Sequence, residues 1–171
     1  MNPTIRRITS AILMALLLTT WYGSETVYAK EKGSDTDLAT EIENDPQLTT
    51  LAYLIETAGL LDALEGTGPY VLFAPTNAAF DQVSESVRSE LIRKENKARL
   101  EGLLLYHLYP GKQVALEGSK PQTLAMLNGK EATITKDGKD IKINGSKVQV
   151  PGKPLSNGIL YKIDQVLKPE G

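Results

Sequence analysis

Residues 70–80, Tyr-Val-Leu-Phe-Ala-Pro-Thr-Asn-Ala-Ala-Phe, form the stretch that decides the expected fold. Its first four residues are aromatic or aliphatic, which predicts a buried strand, and Pro75 ends it because proline has no N–H to donate within a sheet. Thr76 or Asn77 can then accept hydrogen bonds from the free N–H groups of a helix start. The stretch therefore predicts a strand, a sharp corner and a capped helix that points Phe80 inward.

The N-terminal segment has the pattern of an export signal. Arg6 and Arg7 precede an apolar run over residues 8–18, and Val27-Tyr28-Ala29 carries residues that signal peptidase accepts. A membrane span needs about 20 apolar residues, so this run is short for one, and an uncleaved signal anchor is the alternative. We therefore expect residues 1–29 to be a signal peptide that is removed during export.

The rest of the chain is expected to form one domain. Residues 30–34 are charged or small, which predicts a mobile leader, and residues 35–171 have the usual length of one domain. No cysteine precedes the cleavage site to carry a lipid anchor, and no second apolar run of spanning length follows. We expect a released protein, secreted or periplasmic, with no integral membrane span after signal cleavage.

Composition excludes several classes of function. The 19 basic and 21 acidic residues give a net charge of −2, and the lysines are scattered, whereas nucleic-acid binding needs a concentrated basic surface. The chain has no cysteine, which excludes disulfides, thiol redox chemistry and thiolate-bound metals. We therefore expect no nucleic-acid partner and no cofactor.

A short helix is predicted at the start of the domain. Asp35 or Thr36 could cap it, with Leu38 and Ile42 facing the core and Glu41 facing solvent. The acidic residues around it lack the glycine turn and the closing glutamate of a calcium-binding loop. We expect a solvated acidic face and no metal site.

Three further segments show helical periodicity. Apolar residues at three- and four-residue spacing predict a core-facing helix that starts near Pro46 and is capped by Gly59. In the next segment, four apolar residues are expected to face inward: Val83, Val87, Leu91 and Ile92. The last helix is predicted to start at Asn96 and to carry an apolar stripe that includes His107 and Leu108.

The second half of the chain changes to a two-residue periodicity, which is typical of strands. Asn128-Gly129, Asp137-Gly138 and Asn144-Gly145 are dipeptides that form tight hairpin turns. Apolar and polar residues alternate in the short segments around these turns, as in strands with one buried face and one wet face. This half is predicted to be an antiparallel meander.

Strands are also expected at residues 114–116, 123–127 and 158–167. The last of these is rich in branched apolar residues, so it needs a central position in the sheet to find cover. Its alternation breaks at Asp164, which predicts a bulge or a bend there.

Three segments in this order resemble the fasciclin domain. The first comprises Ala58-Gly59-Leu60 and residues 71–80, and the second is Leu-Leu-Leu-Tyr-His at residues 103–107. The third is Asn-Gly-Ile-Leu-Tyr-Lys-Ile-Asp-Gln-Val-Leu-Lys-Pro at residues 157–169. Tyr161 departs from the pattern, since the family commonly has histidine there. The resemblance covers essentially the whole chain after the signal peptide.

The resemblance implies a fold and a class of function. The expected fold class is α+β, a fasciclin-like wedge in which an N-terminal helical half packs on a mostly antiparallel β-sandwich. The family also implies secreted or surface-associated proteins that act in cell adhesion rather than in catalysis. The expected partner is therefore a surface protein, an extracellular matrix protein or a glycan, and the protein is expected to be a monomer and not an enzyme.

Six polar residues within the three segments are the candidate site residues: Thr76, Asn77, Tyr106, His107, Asn157 and Asp164. Most are expected to cap helices or to tie strands and loops together. His107 is the only histidine, and an imidazole can act as a general base or as a metal ligand. Alone it completes neither a zinc site nor a catalytic triad. We expect a buried, neutral ring that hydrogen-bonds to a neighbouring element.

Two main hypotheses about function follow, and a third, a hydrolase, is disfavoured because the chain has one histidine and no paired carboxylates at a recognisable spacing. The first is a non-catalytic, exported adhesion or interaction module that uses exposed loops and helix faces. The alternative is a small-ligand-binding protein of the cell envelope, with a pocket near His107 and Tyr161. A deep cavity beside Tyr106 and His107 would favour the ligand binder. A filled core there, with exposed apolar surface elsewhere, would favour the adhesion module.

Overall fold

The structure is a computed structural model in which residues 35–114 and 120–169 are described. The predicted signal peptide and leader, residues 1–29 and 30–34, lie outside the described residues. So do residues 115 and 116 of the strand expected at residues 114–116, and Val114 itself is not part of a strand.

Helices form the first half of the described chain, together with one 3-10 turn at Lys94–Asn96. The helices are α1 (Leu38–Asn44), α2 (Thr49–Ala58), α3 (Leu61–Leu64), α4 (Asn77–Asp81), α5 (Glu85–Leu91) and α6 (Lys97–Leu105). Asp37, not Asp35 or Thr36, caps α1, because its side chain accepts a hydrogen bond from the Thr40 N–H at 2.8 Å. Gly59 ends α2 in the left-handed conformation, as predicted.

Glu41 does not face solvent, contrary to the prediction from the helical pattern. Its side chain is buried, and both carboxylate oxygens lie 2.6 Å from the Lys153 Nζ. A buried carboxylate is tolerated when a cation pairs with it. The pairing spans 112 residues of sequence, so helical periodicity alone does not reveal it.

Within the described residues, eight strands form a single sheet: β1 (Tyr70–Pro75), β2 (Leu108–Pro110), β3 (Gln122–Ala125), β4 (Glu131–Asp137), β5 (Asp140–Ile143), β6 (Ser146–Val148), β7 (Lys153–Leu155) and β8 (Gly158–Ile163). The spatial order is β2-β1-β8-β6-β5-β4-β3, and β7 also pairs with β8. The β1–β8 pair is parallel, and the other pairs are antiparallel. The predicted α+β class with a helical N-terminal half is confirmed, with one mixed sheet as its β layer.

The opening strand is buried on both faces, which explains its unbroken apolar run. Leu72 and Ala74 belong to an apolar core shared with the helices. Val71 and Phe73 belong to a second core, enclosed by the curved sheet. Strand β1 thus lies between two cores, and β8 pairs with it along its whole length, from Tyr70 opposite Gly158 to Pro75 opposite Ile163.

Turns occur at all three predicted places, but only Asn144-Gly145 has the predicted form, since Asp137 pairs with Asp140 and leaves Gly138 and Lys139 as the turn between β4 and β5. Asn144 and Gly145 both have positive φ, 46° and 84°, as a tight turn of the primed type requires. Gly129 and Gly138 also have positive φ in the turns that flank β4. The chain bends at Asp164, as expected, but β8 ends at Ile163, so the strand expected to continue to Leu167 is four residues shorter.

The end of α6 differs from the prediction. The helix ends at Leu105, so His107 follows it instead of lying on its apolar stripe, and Leu108 begins strand β2. The apolar pattern runs on because the strand after the helix is itself buried at its first residue. The short strands β2 and β7 were not predicted, since three residues are too few to show a period.

Candidate functional site

Thr76 and Asn77 cap two different helices. The Thr76 Oγ1 accepts a long hydrogen bond, 3.4 Å, from the Ala79 N–H in the first turn of α4. The Asn77 Oδ1 instead accepts from the Thr50 N–H at 3.0 Å, at the start of α2. The Asn77 Nδ2 donates to the Pro46 carbonyl at 3.0 Å. Asn77 therefore joins the corner after β1 to the helix that packs beside it.

Asn157 is a buried tie between the last strand and the first helices. Its Oδ1 accepts from the Leu38 N–H at 2.9 Å, at the first residue of α1. Its Nδ2 donates to the carbonyls of Leu64, at 2.6 Å, and Gly66, at 3.0 Å. The Asn157 side chain thus provides hydrogen-bond partners both for a free N–H at the start of α1 and for free carbonyls at the end of α3.

Asp164 ties the bend after β8 to strand β6. Its Oδ1 accepts from the Lys147 N–H at 2.7 Å and from the Ser146 hydroxyl at 3.1 Å. The Ser146 Oγ also accepts from the Gln165 N–H at 3.1 Å. These bonds hold the chain where the ladder between β6 and β8 ends.

Tyr106 is fully buried beneath the meander. Its hydroxyl donates to the Glu131 carbonyl at 2.6 Å and accepts from the Asn144 Nδ2 at 2.7 Å. A buried phenol needs such partners, because an unpaired hydroxyl would lose its hydration without compensation. Tyr106 therefore links the end of α6 to the hairpin turn at Asn144.

His107 joins α6 to the C-terminal segment of the described chain. Its Nδ1 lies 2.8 Å from the Leu103 carbonyl, and its Nε2 accepts from the Leu167 N–H at 2.9 Å. A carbonyl only accepts and an amide N–H only donates, so Nδ1 carries the ring hydrogen and the imidazole is neutral. Burial lowers the His107 pKa from 6.5 to about 4.

The space beside His107 is nearly filled. The cavity that its ring lines has a volume of about 20 Å³, whereas pockets for small ligands have about 300–1,000 Å³. Tyr161 does not line this cavity. It stacks on Phe73 with ring centroids 5.9 Å apart, and its ring would lie 2.5 Å from a Cβ added at Gly152. The ligand pocket expected near His107 and Tyr161 is therefore not formed by these two side chains.

A larger concave site lies on the other side of α6. This site, called the α6 groove below, has a volume of about 740 Å³. Helices α2, α4, α5 and α6 and the segment after β8 supply most of its lining: Thr50, Tyr53, Leu54, Phe80, Val83, Glu85, Val87, Arg88, Ser89, Leu91, Ile92, Arg99, Gly102, Leu103, Asn128, Lys130, Val166, Lys168 and Pro169. Sequence reasoning did not find this groove.

The side chains of α5 explain why the α6 groove was missed. Val87 and Ile92 were expected to face inward, but they are 39% and 40% exposed, and Tyr53 on α2 is 54% exposed. Leu91 is buried, as predicted. Apolar residues at helical spacing mark both a core and an open groove, so the pattern does not distinguish them.

The α6 groove concentrates positive charge in a protein with an acidic balance. Four basic residues line it, Arg88, Arg99, Lys130 and Lys168, against a single acidic residue, Glu85. Arg88 forms an ion pair with Asp81 at 3.4 Å. Among the described residues, no hydrogen bond or ion pair engages the exposed side chains of Arg99 and Lys168. The groove therefore combines an apolar lining with uncompensated positive charge.

The buried polar side chains of the described residues are paired within the fold. Within residues 35–114 and 120–169, every buried side-chain nitrogen or oxygen has a hydrogen-bond partner. No three His, Asp or Glu side chains of this part of the chain lie close enough together to hold a metal ion. The six candidate residues are distributed over the fold and do not converge on one site.

Comparison with known proteins places this arrangement in a family. The family profile described as Fasciclin domain matches residues 46–169. The chain belongs to the fasciclin domain family. The resemblance inferred from the three sequence segments is thereby confirmed.

Curated relatives match over most of the fasciclin domain chain. Protein sll1483 of Synechocystis sp. is 38% identical over 122 residues, which are 71% of this chain and 67% of that protein. Immunogenic protein MPB70 of Mycobacterium bovis is 33% identical over 141 residues, 80% of this chain and 70% of that protein. Cell surface glycolipoprotein MPB83 of the same species is 32% identical over 137 residues, 77% of this chain and 60% of that protein.

A solved structure confirms the fold. The FAS1 domain pair from the insect cell adhesion molecule fasciclin I matches with a TM-score of 0.69 at 17% sequence identity. The match covers 80% of this chain and 52% of that one, so this chain spans about half the length of the domain pair. Within the described fasciclin domain, no helix is both long enough and apolar enough to cross a membrane.

Proposed function

We propose that this fasciclin domain protein is a non-catalytic, exported adhesion or interaction module. It contacts a surface protein, a matrix protein or a glycan, at the cell surface or outside the cell. Residues 1–29 act as a cleaved signal peptide, residues 30–34 as a leader, and residues 35–171 as a single, monomeric domain. One relative is a cell surface glycolipoprotein, which supports a location outside the cytoplasm.

The observation that carries the proposal is the contrast between a filled interior and exposed apolar surface. The cavity beside His107 has about 20 Å³, while Tyr53, Val87 and Ile92 remain exposed on the helical side. Contiguous exposed apolar surface on a soluble domain is typical of contact sites. The six signature residues act as caps and ties, so their substitution is expected to impair folding before it impairs binding.

Binding to intact cells and to arrays of matrix proteins and glycans tests the proposal. The purified exported protein should show saturable binding to at least one surface component. His107→Ala should melt at a lower temperature, because the Leu103 carbonyl and the Leu167 N–H lose their partner. Its folded fraction should nevertheless bind as the wild type does. Lys136→Ala, an exposed change on β4, serves as the control for folding.

Two results would contradict the proposal. Absence of saturable binding to cells, proteins and glycans alike would leave adhesion without support. Normal melting of His107→Ala together with lost binding would place His107 in a binding site, and the adhesion scaffold would give way to the ligand-binding alternative. Turnover of ester, peptide or glycoside substrates by the purified protein would overturn the non-catalytic part.

A further inference from the structure

We propose that the α6 groove binds a long-chain fatty acid, with the acyl chain on the apolar lining and the carboxylate at the basic residues Arg99, Lys130 and Lys168. This inference goes beyond adhesion, although Tyr53, Val87 and Ile92, the exposed apolar residues that support the adhesion proposal, also line the groove. It rests on a glycine that the fold leaves unexplained, on the size of the groove and on its charge.

Gly102 is the first observation. It lies within α6 and lines the groove, and a Cβ added at this position would meet no described atom within 4 Å. Glycine weakens a helix relative to alanine, because its backbone loses more freedom on folding. The folded chain gives no steric reason for this cost. Close approach of a ligand to the helix backbone would give one.

The other described glycines show that Gly102 is a special case. Gly129, Gly138 and Gly145 also have open space around the Cβ position, but their φ angles of 80°, 60° and 84° require glycine. Gly59 and Gly68 have positive φ as well. The remaining four have a neighbouring atom 3.2 Å or less from the added Cβ: Gly66, Gly111, Gly152 and Gly158. Only Gly102 among the described glycines lacks both reasons.

The dimensions of the α6 groove fit a small ligand. Its volume of about 740 Å³ lies within the range of about 300–1,000 Å³ typical of small-molecule sites. Leu54, Phe80, Leu103 and Val166 supply apolar lining. A single flexible alkyl chain can follow such a surface and bury it from water.

The positive charge of the groove favours a ligand with a negatively charged headgroup, such as a carboxylate. Four basic residues and one acidic residue line the groove of a protein whose net charge is −2. Arg99 lies one turn before Gly102 and Leu103 on α6, and Lys130 follows Asn128, whose Nδ2 donates to the Gly102 carbonyl at 3.0 Å. Basic groups are thus placed around the open glycine, where a carboxylate can accept charge-assisted hydrogen bonds.

His107 holds in place the C-terminal segment that forms one wall of the groove. Its ring bridges the Leu103 carbonyl and the Leu167 N–H, so the segment that carries Val166 and Lys168 is held against α6. The ring is buried and does not line the groove itself. A wall that is held in place before binding loses less freedom when the ligand arrives.

Ligand binding can be measured with dodecanoate on the purified exported protein after removal of bound lipid. Calorimetry should show saturable binding of dodecanoate below its micelle concentration. Dodecanol, which lacks the charge, should bind more weakly, and the cation dodecyltrimethylammonium weakest of all. Equal binding of all three amphiphiles, or none by dodecanoate, would overturn the proposal.

Two pairs of variants locate the site. Gly102→Leu should abolish dodecanoate binding by filling the groove, and Gly102→Ala should weaken binding by a smaller factor, because its Cβ occupies part of the space beside the helix backbone. The double variant Arg99→Gln and Lys168→Gln should weaken dodecanoate binding by about tenfold, since each charge-assisted bond contributes to affinity, and should leave dodecanol unaffected. Lys136→Gln with Lys139→Gln removes the same charge outside the groove and should change nothing.

A further measurement keeps the test decisive if Gly102→Leu fails to fold. Titration of the wild type with dodecanoate should shift the amide NMR signals of Gly102 and Leu103 but not those of the β4–β5 hairpin. Shifts elsewhere would overturn the site. Binding of an acidic amphipathic peptide that shifts the Gly102 and Leu103 signals, without binding of dodecanoate, would assign the groove to a protein segment instead.

Discussion

The two sides of helix α6 differ in how fully the protein fills the space beside them. On one side, Leu104 and His107 line a cavity of about 20 Å³. On the other, Gly102 and Leu103 line a groove of about 740 Å³. The closed side satisfies its polar groups within the fold, whereas the open side leaves apolar surface and positive charge exposed. Substitutions on the closed side should therefore cost stability, and those on the open side should affect binding.

The largest loss of stability is expected from a charge in the last strand, within the second filled core of the protein. Ile163 is fully buried, pairs with Val148 and belongs to the core within the sheet. Ile163→Asp places an unpaired carboxylate there, at an expected cost of about 3–5 kcal/mol out of a total stability of about 5–15 kcal/mol. The variant should lose soluble expression or melt at a far lower temperature.

Lys136→Asp is the matched control for this substitution. Lys136 is exposed on β4, so the same carboxylate there should leave the melting temperature nearly unchanged. Wild-type-like melting of Ile163→Asp would mean that Ile163 and its strand are not part of the core within the sheet.

Sequence periodicity predicted the elements of the closed side better than their connections. The strand at residues 70–73 and the turn at Asn144 were predicted because each depends on local residue types. Thr76 or Asn77 was predicted to cap the helix after β1; Thr76 caps it, whereas Asn77 accepts from the Thr50 N–H at the start of α2, 27 residues earlier. Such long-range partners are set by packing, which a local pattern does not contain.

The open side could not be predicted for a related reason. Val87 and Ile92 lie at helical spacing and look like core residues, and only the packing of neighbouring helices shows that they are exposed. The glycine at position 102 offered a signal, since glycine within a helical pattern is unfavourable unless something requires it. Its meaning became clear only with the empty space around its Cβ position.

The pH dependence of stability tests how much the buried His107 contributes on the closed side of α6. Its folded-state pKa of about 4 lies below the value of 6.5 expected for the unfolded chain, so the unfolded state binds a proton first as the pH falls. The contribution to stability is complete above pH 6.5 and is lost between pH 6.5 and about 4. The difference corresponds to about 3 kcal/mol. Urea unfolding at several pH values measures it.

Other groups titrate in a different window. A hydrogen bond from the Thr40 N–H lowers the Asp37 pKa below 3.8, and a hydrogen bond from Lys147 lowers the Asp140 pKa. The contributions of these two aspartates to stability are present above pH 3.8 and disappear below it.

The control for the His107 titration is His107→Gln, which should flatten the dependence of stability on pH between pH 7 and 4.5. An unchanged slope in that variant would show that the buried imidazole is not its source.

A smaller loss is expected when the tie at Asn157 is removed. Asn157→Ala leaves the Leu38 N–H and the carbonyls of Leu64 and Gly66 without their partner, which should cost about 2 kcal/mol. Asn44→Ala is the control, since the Asn44 Nδ2 donates to the Thr40 carbonyl at an exposed position. Equal urea midpoints for the two variants would contradict the role assigned to Asn157.

The smallest expected change in stability lies on the open side of α6, and it is a gain where the other substitutions cause a loss. Gly102→Ala should stabilise the protein by about 0.5–1 kcal/mol, because alanine favours the helix and the added Cβ meets no described atom. Gly158→Ala is the same chemical change on the closed side, where the Cβ would lie 2.1 Å from the Tyr70 carbonyl oxygen, so it should destabilise. Urea unfolding of both variants measures whether the free energy of unfolding rises in Gly102→Ala and falls in Gly158→Ala. A loss of stability in Gly102→Ala would mean that the glycine serves the fold, and α6 would then have no side reserved for another molecule.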